Sequence, residues 1–284
     1  ILDIEIPLPS CDVQKNIIKI LEDLELIIEL TEKNLSHVTT YYKFVNEKLF
    51  SLGIKNHMQK EIFLNPHSKF IIGKIPKKWD VKTIEELHQE KTIIDYHDGN
   101  HGELHPKKND FSNSGKPFIT ATQISELGEL SFEKCQKLPE KFYKKLRIGF
   151  SQKNDVLFTH NATVGRVSIM PPNAPDSILG TSVTYYRLDE VKINKNFFSH
   201  ILKSNFVKKQ YQREMFQTTR QQFSILKQAK LKIPMPKIEE QVIIGNILNE
   251  ITLQVIKQTQ FLEKLQLFKI ILLQNIFSNE KSAT

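Results

Sequence analysis

Several things are scarce in this 284-residue chain. Cysteine is limited to Cys11 and Cys135, too few for a disulfide framework and without the clustered spacing of a zinc site. That cysteine usage points to a reducing, cytoplasmic location. No run of apolar residues is long enough to span a bilayer, and the opening Ile1-Leu2-Asp3-Ile4-Glu5 has neither an initiator Met nor the basic and apolar regions of a signal peptide. We therefore expect a soluble protein with no membrane partner, cut from something longer. Phosphate-cradling Gly-x-x-x-x-Gly-Lys is absent, and so is a glycine-rich loop paired with an Asn- or Asp-Pro-Pro-aromatic element; Pro171-Pro172-Asn173 lacks the flanking residues. Nucleotide hydrolysis and methyl transfer thus have no sequence support, and we expect a chain that is not an enzyme and holds no metal or cofactor.

Charge is abundant but unevenly placed. The formal net charge is +8. Residues 1–63 hold 7 Lys+Arg against 10 Asp+Glu, residues 64–231 hold 27 against 17, and residues 232–284 hold 6 against 5. All of the excess lies in the middle. A basic module between near-neutral segments is the pattern of a polyanion-binding domain on a separate scaffold, since Lys and Arg that meet phosphates release condensed counterions.

An internal repeat frames that module. Ile6-Pro7-Leu8-Pro9 returns as Ile233-Pro234-Met235-Pro236, and Gln14, Ile17, Ile20 and Leu21 return as Gln241, Ile244, Ile247 and Leu248, always 227 positions later. Eleven identities fall in the 46 positions compared, from Ile6 to Ser51. Two copies so far apart indicate duplication of a larger unit rather than a solenoid. Each opens with a Pro-x-Pro element that fixes an extended lead-in and stops helix from running backward.

A helix of about 40 residues, roughly 60 Å long, is expected after each lead-in. Ile17, Leu21, Leu24, Ile28, Thr31, Leu35, Val38, Tyr42, Val45 and Leu49 alternate steps of four and three, as do Ile244, Leu248, Ile251, Val255, Gln258, Leu262, Leu265, Lys269, Leu272 and Ile276. This is coiled-coil spacing. Thr31 and Gln258 share a mid-seam position and are either register-setting polar residues or solvated ones.

In the middle segment, residues 52–72 read as a linker and Gly73-Lys74-Ile75-Pro76-Lys77-Lys78-Trp79 as the domain opening, with the single Trp as a core anchor. Strands are expected at Phe118-Ile119-Thr120, Val156-Leu157-Phe158-Thr159, Arg166-Val167-Ser168-Ile169 and Val183 to Leu188, and one helix from about Lys195 to Phe216. The fold class is α+β: a globular domain of short strands and helices, plus two long helices that pair in a coiled coil. Polar loops carry side chains that contact phosphate and base edges: Lys107, Lys108 and Lys116; Lys144, Lys145 and Arg147; His160, Asn161, Thr163 and Arg166; Thr219, Arg220, Gln221 and Gln222. Arg can pair bidentately with guanine and Asn or Gln with adenine, whereas Lys and Thr mainly position the protein on the backbone.

The repeated Ile-Pro-x-Pro…Gln openings, the Gly73 to Trp79 element, Asp98-Gly99-Asn100-His101-Gly102-Glu103-Leu104-His105-Pro106 followed by Gly115-Lys116-Pro117-Phe118-Ile119, and Gly165-Arg166-Val167 together resemble the DNA specificity (S) subunit of type I restriction-modification enzymes. The resemblance covers nearly the whole chain. It implies a conserved helical region with its linker at 1–63, one target-recognition domain at 64–231 and a second conserved region at 232–284. In this family two recognition domains alternate with two helical regions that pack as an antiparallel coiled coil and space the halves of a bipartite site, so the resemblance implies an antiparallel coiled coil for the two long helices; here there is one recognition domain. A fragment, a truncated product and a half-subunit that dimerises through its helices are all compatible with that order. The implied partners are double-stranded DNA, modification subunits that methylate adenine with S-adenosylmethionine, and motor-nuclease restriction subunits that use ATP and Mg.

Other chemistries are weaker. His97, His101 and His105 recur every four residues, but Gly99, Gly102 and Pro106 oppose the helix that would align them on a metal. Asp176 with Glu190 and Lys192 outlines a magnesium nuclease only if a hairpin brings the two carboxylates together. A coiled-coil adaptor that binds RNA or an acidic protein is the alternative from another class.

Overall fold

The computed structural model describes residues 9–65, 69–216 and 222–278. Its elements in chain order are α1 (Cys11–Leu52), β1 (Gln59–Phe63), β2 (Ile71–Pro76), β3 (Asp80–Thr83), α2 (Ile84–Gln89), β4 (Ile93–His97), β5 (Lys116–Ile119), β6 (Gln136–Leu138), α3 (Glu140–Tyr143), β7 (Phe150–Ser151), β8 (Val156–Thr159), β9 (Val167–Ile169), β10 (Ser177–Leu179), β11 (Val183–Leu188), α4 (Lys195–Lys203), α5 (Asn205–Met215), α6 (Ile225–Gln228), β12 (Lys232–Met235) and α7 (Ile238–Ser278). No described helix is long and apolar enough to cross a membrane. The chain divides into two compact units, one of residues 1–43 with 251–284 and one of residues 44–250.

The first unit is a pair of helices, the α+β reading's coiled coil. Lys269 Nζ reaches Glu25 Oε1 at 2.7 Å, and Gln266 Nε2 donates to Glu32 Oε1. Rising numbers on α1 therefore meet falling numbers on α7, so the two run antiparallel. Ile17, Leu21, Leu24, Ile28, Leu35 and Val38 are all buried or half-buried, as are Ile251, Val255, Leu262 and Leu265. Thr31 is buried, and its hydroxyl donates to the Ile27 carbonyl of its own helix at 2.7 Å. This local bond satisfies the group without a partner across the seam. Gln258 is half-buried.

In the second unit, two four-stranded sheets, ordered β6-β5-β10-β7 and β4-β11-β8-β9, share a core of Ile119, Ile124, Leu157, Met170, Leu179, Val183 and Tyr185. Side chains alternate faces along a strand, so Phe118 and Ile178 point away from this core and join Leu138 and Leu146 in a second cluster. The parallel pair β5 and β10 is buried on both faces at Phe118-Ile119 and Ile178-Leu179, which explains the consecutive apolar residues there. Two-stranded pairs β1-β2 and β3-β12 complete the sheet structure.

Three expectations change. Residues 52–72 are not a plain linker: β1 pairs antiparallel with β2. The single helix over 195–216 is two, because Ser204 is extended (ψ 156°) and its Oγ caps α5 by accepting from Val207 N. Strand β5 stops at Ile119, and Thr120 instead opens a turn whose hydroxyl and amide donate to Gln123 Oε1.

The shared core also buries charge. Asp155, with a side chain 2% exposed, takes a two-pronged ion pair from Arg187, Nη2 at 2.8 Å and Nε at 3.0 Å, while the same guanidinium donates to the Phe150 carbonyl. Burial pushes the Asp155 carboxyl up, and the Arg187 hydrogen bonds oppose that push. Arg187 also lies 3.8 Å from Asp95, so it is Arg187→Ala, which strands the buried Asp155 carboxylate, that should cost about 3–5 kcal/mol in urea unfolding. Breaking the exposed Lys144–Glu140 pair should cost less than about 1 kcal/mol.

Candidate nucleic-acid interface

The second cluster, Phe118, Leu138, Leu146 and Ile178, is covered by Leu104, Phe111, Phe142, Tyr143 and Phe150. Segments 104–118 and 134–150, the second carrying β6 and α3, are thereby fastened to one face of the sheet. Their apolar residues point inward, which leaves their lysines outward. Lys107, Lys108, Lys145 and Arg147 are exposed, with no ion pair among the described residues. Lys134, Lys137 and Lys141 share these properties and are missed when each polar loop is read singly; their signal is the alternation of Lys with apolar residues from Lys134 to Leu146. Two predicted cations are already engaged. Lys116 meets Asp176 at 3.3 Å and lies 5.3 Å over the Tyr143 ring, and Lys144 pairs with Glu140 at 2.7 Å.

A second group sits at the β8–β9 turn. Gly165 (φ +98°) packs where any Cβ would lie 2.3 Å from Tyr211 Oη, and this tight turn sets Arg166, whose amide donates to Thr159 Oγ1. Arg166 is half-buried, with Nη1 on the Ile124 carbonyl at 2.9 Å and Nη2 3.9 Å from Glu126. Its guanidinium is thus partly committed to the fold. Asn161 is half-buried and bridges to Gln222 in an isolated antiparallel pair, and Thr163 donates its amide to the Asn161 carbonyl. Thr219, Arg220 and Gln221 lie outside the described residues.

The loop from Asp98 to His101 joins the two groups. Asn100 is buried; its Oδ1 accepts from Arg147 N at 3.1 Å and its Nδ2 donates to the Ile148 carbonyl. Asp98 Oδ2 lies 2.9 Å from His101 Nε2 and 3.8 Å from His160 Nε2. The Asp98-Gly99-Asn100 run thus ties the basic segment and the His160 turn to a common loop. His160 itself is 1% exposed, so its ring faces the interior and not a solvent-side ligand. Burial pushes its imidazolium down to about 4, against the pull of Asp98 and with the push of His101.

The enzyme alternatives lose their geometry. His97 packs on Tyr185, His101 bonds Asp98 and His105 meets Phe118, so the three rings do not converge. Asp176 precedes β10 in one sheet and Glu190 follows β11 in the other, where it pairs with Lys195 at 3.0 Å; the hairpin that would unite the carboxylates does not form.

The family described as the type I restriction modification DNA specificity domain matches residues 76–267, more than half of the chain. This chain belongs to that family. The type I restriction enzyme MjaVIII specificity subunit of Methanocaldococcus jannaschii is 25% identical over 253 residues, which is 88% of this chain and 55% of that protein. A putative type I restriction enzyme MjaX specificity subunit from the same organism is 25% identical over 249 residues, covering 87% and 52%. Among solved structures, a type I restriction-modification S subunit from M. genitalium shares the fold with a TM-score of 0.63 at 16% identity, over 94% of this chain and 61% of that one. The HsdS subunit from Thermoanaerobacter tengcongensis gives 0.54 at 16% identity, over 96% and 60%. The chain spans about half the length of the curated relatives it matches.

His160 gives the site a pH signature. Its pKa falls from 6.5 unfolded to about 4 folded, so the unfolded state binds the extra proton between these values. Stability is full above about pH 6.5, drops as pH falls toward 4 and levels below that. Burial pushes His200 down too, to about 3, with the same sign. His160→Asn should remove up to about 1.4 kcal/mol per pH unit of slope within that window; an unchanged slope in urea melts from pH 4 to 7 would show that His160 does not titrate as a buried neutral group.

Proposed function

We propose that this chain is a DNA-reading specificity subunit, or the half of one, that directs partner subunits to a target site and carries no catalysis itself. The observation that carries the reading is the set of exposed cations, without ion pairs among the described residues, on segments 104–118 and 134–150, held over one buried cluster in a member of the specificity family. Lys107, Lys108 and Lys145 track phosphates, with Lys134, Lys137 and Lys141 adding to the field. Arg147 and the Asn161–Gln222 pair are the base-edge candidates, positioned by Asn100 and by the turn at Gly165. Thr219, Arg220 and Gln221 belong to the same proposal by their sequence position beside Gln222.

The paired helices set spacing and hold the modification subunits. Ile20, Ile27 and Leu30 on α1 and Phe261, Leu267 and Phe268 on α7 are exposed apolar side chains of the kind that a protein partner covers. S-adenosylmethionine, ATP and Mg belong, in this reading, to the modification and restriction subunits, and the complex works in the cytoplasm. A half-subunit would dimerise through its helices to read both halves of a site. The adaptor reading, with RNA or an acidic protein on the basic unit, predicts no preference for duplex DNA.

Co-expression with a cognate modification subunit, followed by single-molecule mapping of methylated adenines, tests the proposal. Methylation at one recurring motif is expected, palindromic if two copies act together; absence of both complex and motif would sink it. For the isolated chain, replacing Lys107, Lys108 and Lys145 by Ala should weaken duplex binding across all sequences and lower the slope of log affinity against log salt by roughly 0.9 for each phosphate that is no longer neutralised.

A further inference from the structure

The two helix openings repeat each other, yet they are not built alike. In the second, Gln241 is buried and bridges two segments: its Nε2 donates to the Pro236 carbonyl of the lead-in at 2.9 Å, and its Oε1 accepts from Asn194 N, at the start of α4, at 3.0 Å. The first opening makes the lead-in half of that bridge, with Gln14 Nε2 on the Pro9 carbonyl at 2.7 Å. Repeat and geometry agree to this point. They part at two positions.

Glu240 accepts a hydrogen bond from the indole of Trp79 at 3.1 Å through Oε2, and one from Ile54 N at 3.1 Å through Oε1. The residue 227 positions earlier is Val13, which can accept neither. Gly245 lies against the first turn of α4: a Cβ there would fall 2.7 Å from Asn194 Oδ1 and 2.8 Å from Phe197 N. Asn194 Oδ1 is itself fixed, because it caps α4 by accepting from Phe197 N at 3.0 Å, and a backbone amide cannot swing aside as a flexible side-chain tip would. The counterpart of Gly245 is Ile18, a β-branched residue 54% exposed.

We propose that Glu240 and Gly245 are the address by which the recognition unit selects its own helix, and that the first helix, with Val13 and Ile18 at those places, is keyed against the same docking. The duplicated helices are therefore not interchangeable mounts. A domain bearing the Trp79, Asn194 and Phe197 surface seats on α7 and is refused by the opening of α1, where an apolar side chain replaces the acid and a branched one fills the glycine gap. The order of domains along the helices is then written in two residues and not in the repeat as a whole.

Because Trp79 is the only tryptophan and bonds Glu240 directly, its fluorescence reports the docked state. Three variants of the full chain decide the matter. In the first, residues 237–248 are replaced by residues 10–21, a graft of equal length that keeps Gln, both Ile and Leu at the shared positions. The second is the same graft with Glu240 and Gly245 retained. The third is Glu240→Val with Gly245→Ile in the otherwise unchanged chain. The full graft and the double substitution are expected to shift Trp79 emission to the red and raise acrylamide quenching several-fold, while the graft that retains the two residues keeps the native values. A full graft with native emission and quenching would show the openings to be interchangeable and overturn the proposal. Disappearance of the native signal in the graft that keeps both residues would overturn it equally, since the address would then lie elsewhere in the twelve positions.

Discussion

The burial of one small sheet on both faces is the constraint on which the recognition unit rests. Phe118 and Ile119 on β5, and Ile178 and Leu179 on β10, send alternate side chains to opposite sides. One set builds the core shared by the two sheets. The other holds down Leu104, Phe111, Phe142 and Tyr143, and with them segments 104–118 and 134–150. Each such apolar side chain is partly buried and contributes some fraction of the roughly 1.5–3 kcal/mol of full burial, and the antiparallel β5–β6 pairing adds a backbone ladder between the segments. Their lysines project outward as a consequence of the inward pull and not of any fold made by charge.

Polar residues in the unit divide into those that hold the structure and those left over for a ligand. Arg187 and Asp155 spend their charge inside, Arg166 gives one nitrogen to the Ile124 carbonyl, and Asn100 closes a loop onto Arg147 and Ile148. His160 is also an interior residue. Residue type alone puts Arg166 and His160 among possible DNA contacts; burial separates them from the exposed cations. The exposed Lys107, Lys108, Lys145 and Arg147 stand apart because none forms an ion pair among the described residues, and at exposed sites such a cation is available to phosphate at little desolvation cost.

Along the helices the situation is reversed, since periodicity tells nearly everything about the seam. Steps of four and three place Ile17 to Val38 and Ile251 to Leu265 on one side of each rod, and those side chains are the buried or half-buried ones. The openings are subtler. Four identities in each helix start conceal the exchange of an acid for valine and of glycine for isoleucine, and only the approach of α4 to Gly245 gives that exchange a physical meaning.

The sequence by itself determined the two long helices, the spacing of their seam, the basic middle segment and four of the twelve strands, because these depend on local spacing and on composition. It also carried the family, through motifs spread over the chain. Tertiary structure decided the rest. That 59–63 pairs with 71–76, that Ser204 splits a helix by capping the next one, that Asp176 and Glu190 lie in different sheets, and that His160 faces inward all depend on partners distant in the chain. A histidine or an arginine in a polar loop has the same local signature whether it meets solvent or a buried carbonyl; what distinguishes them is the surface packed against them, which no local pattern records.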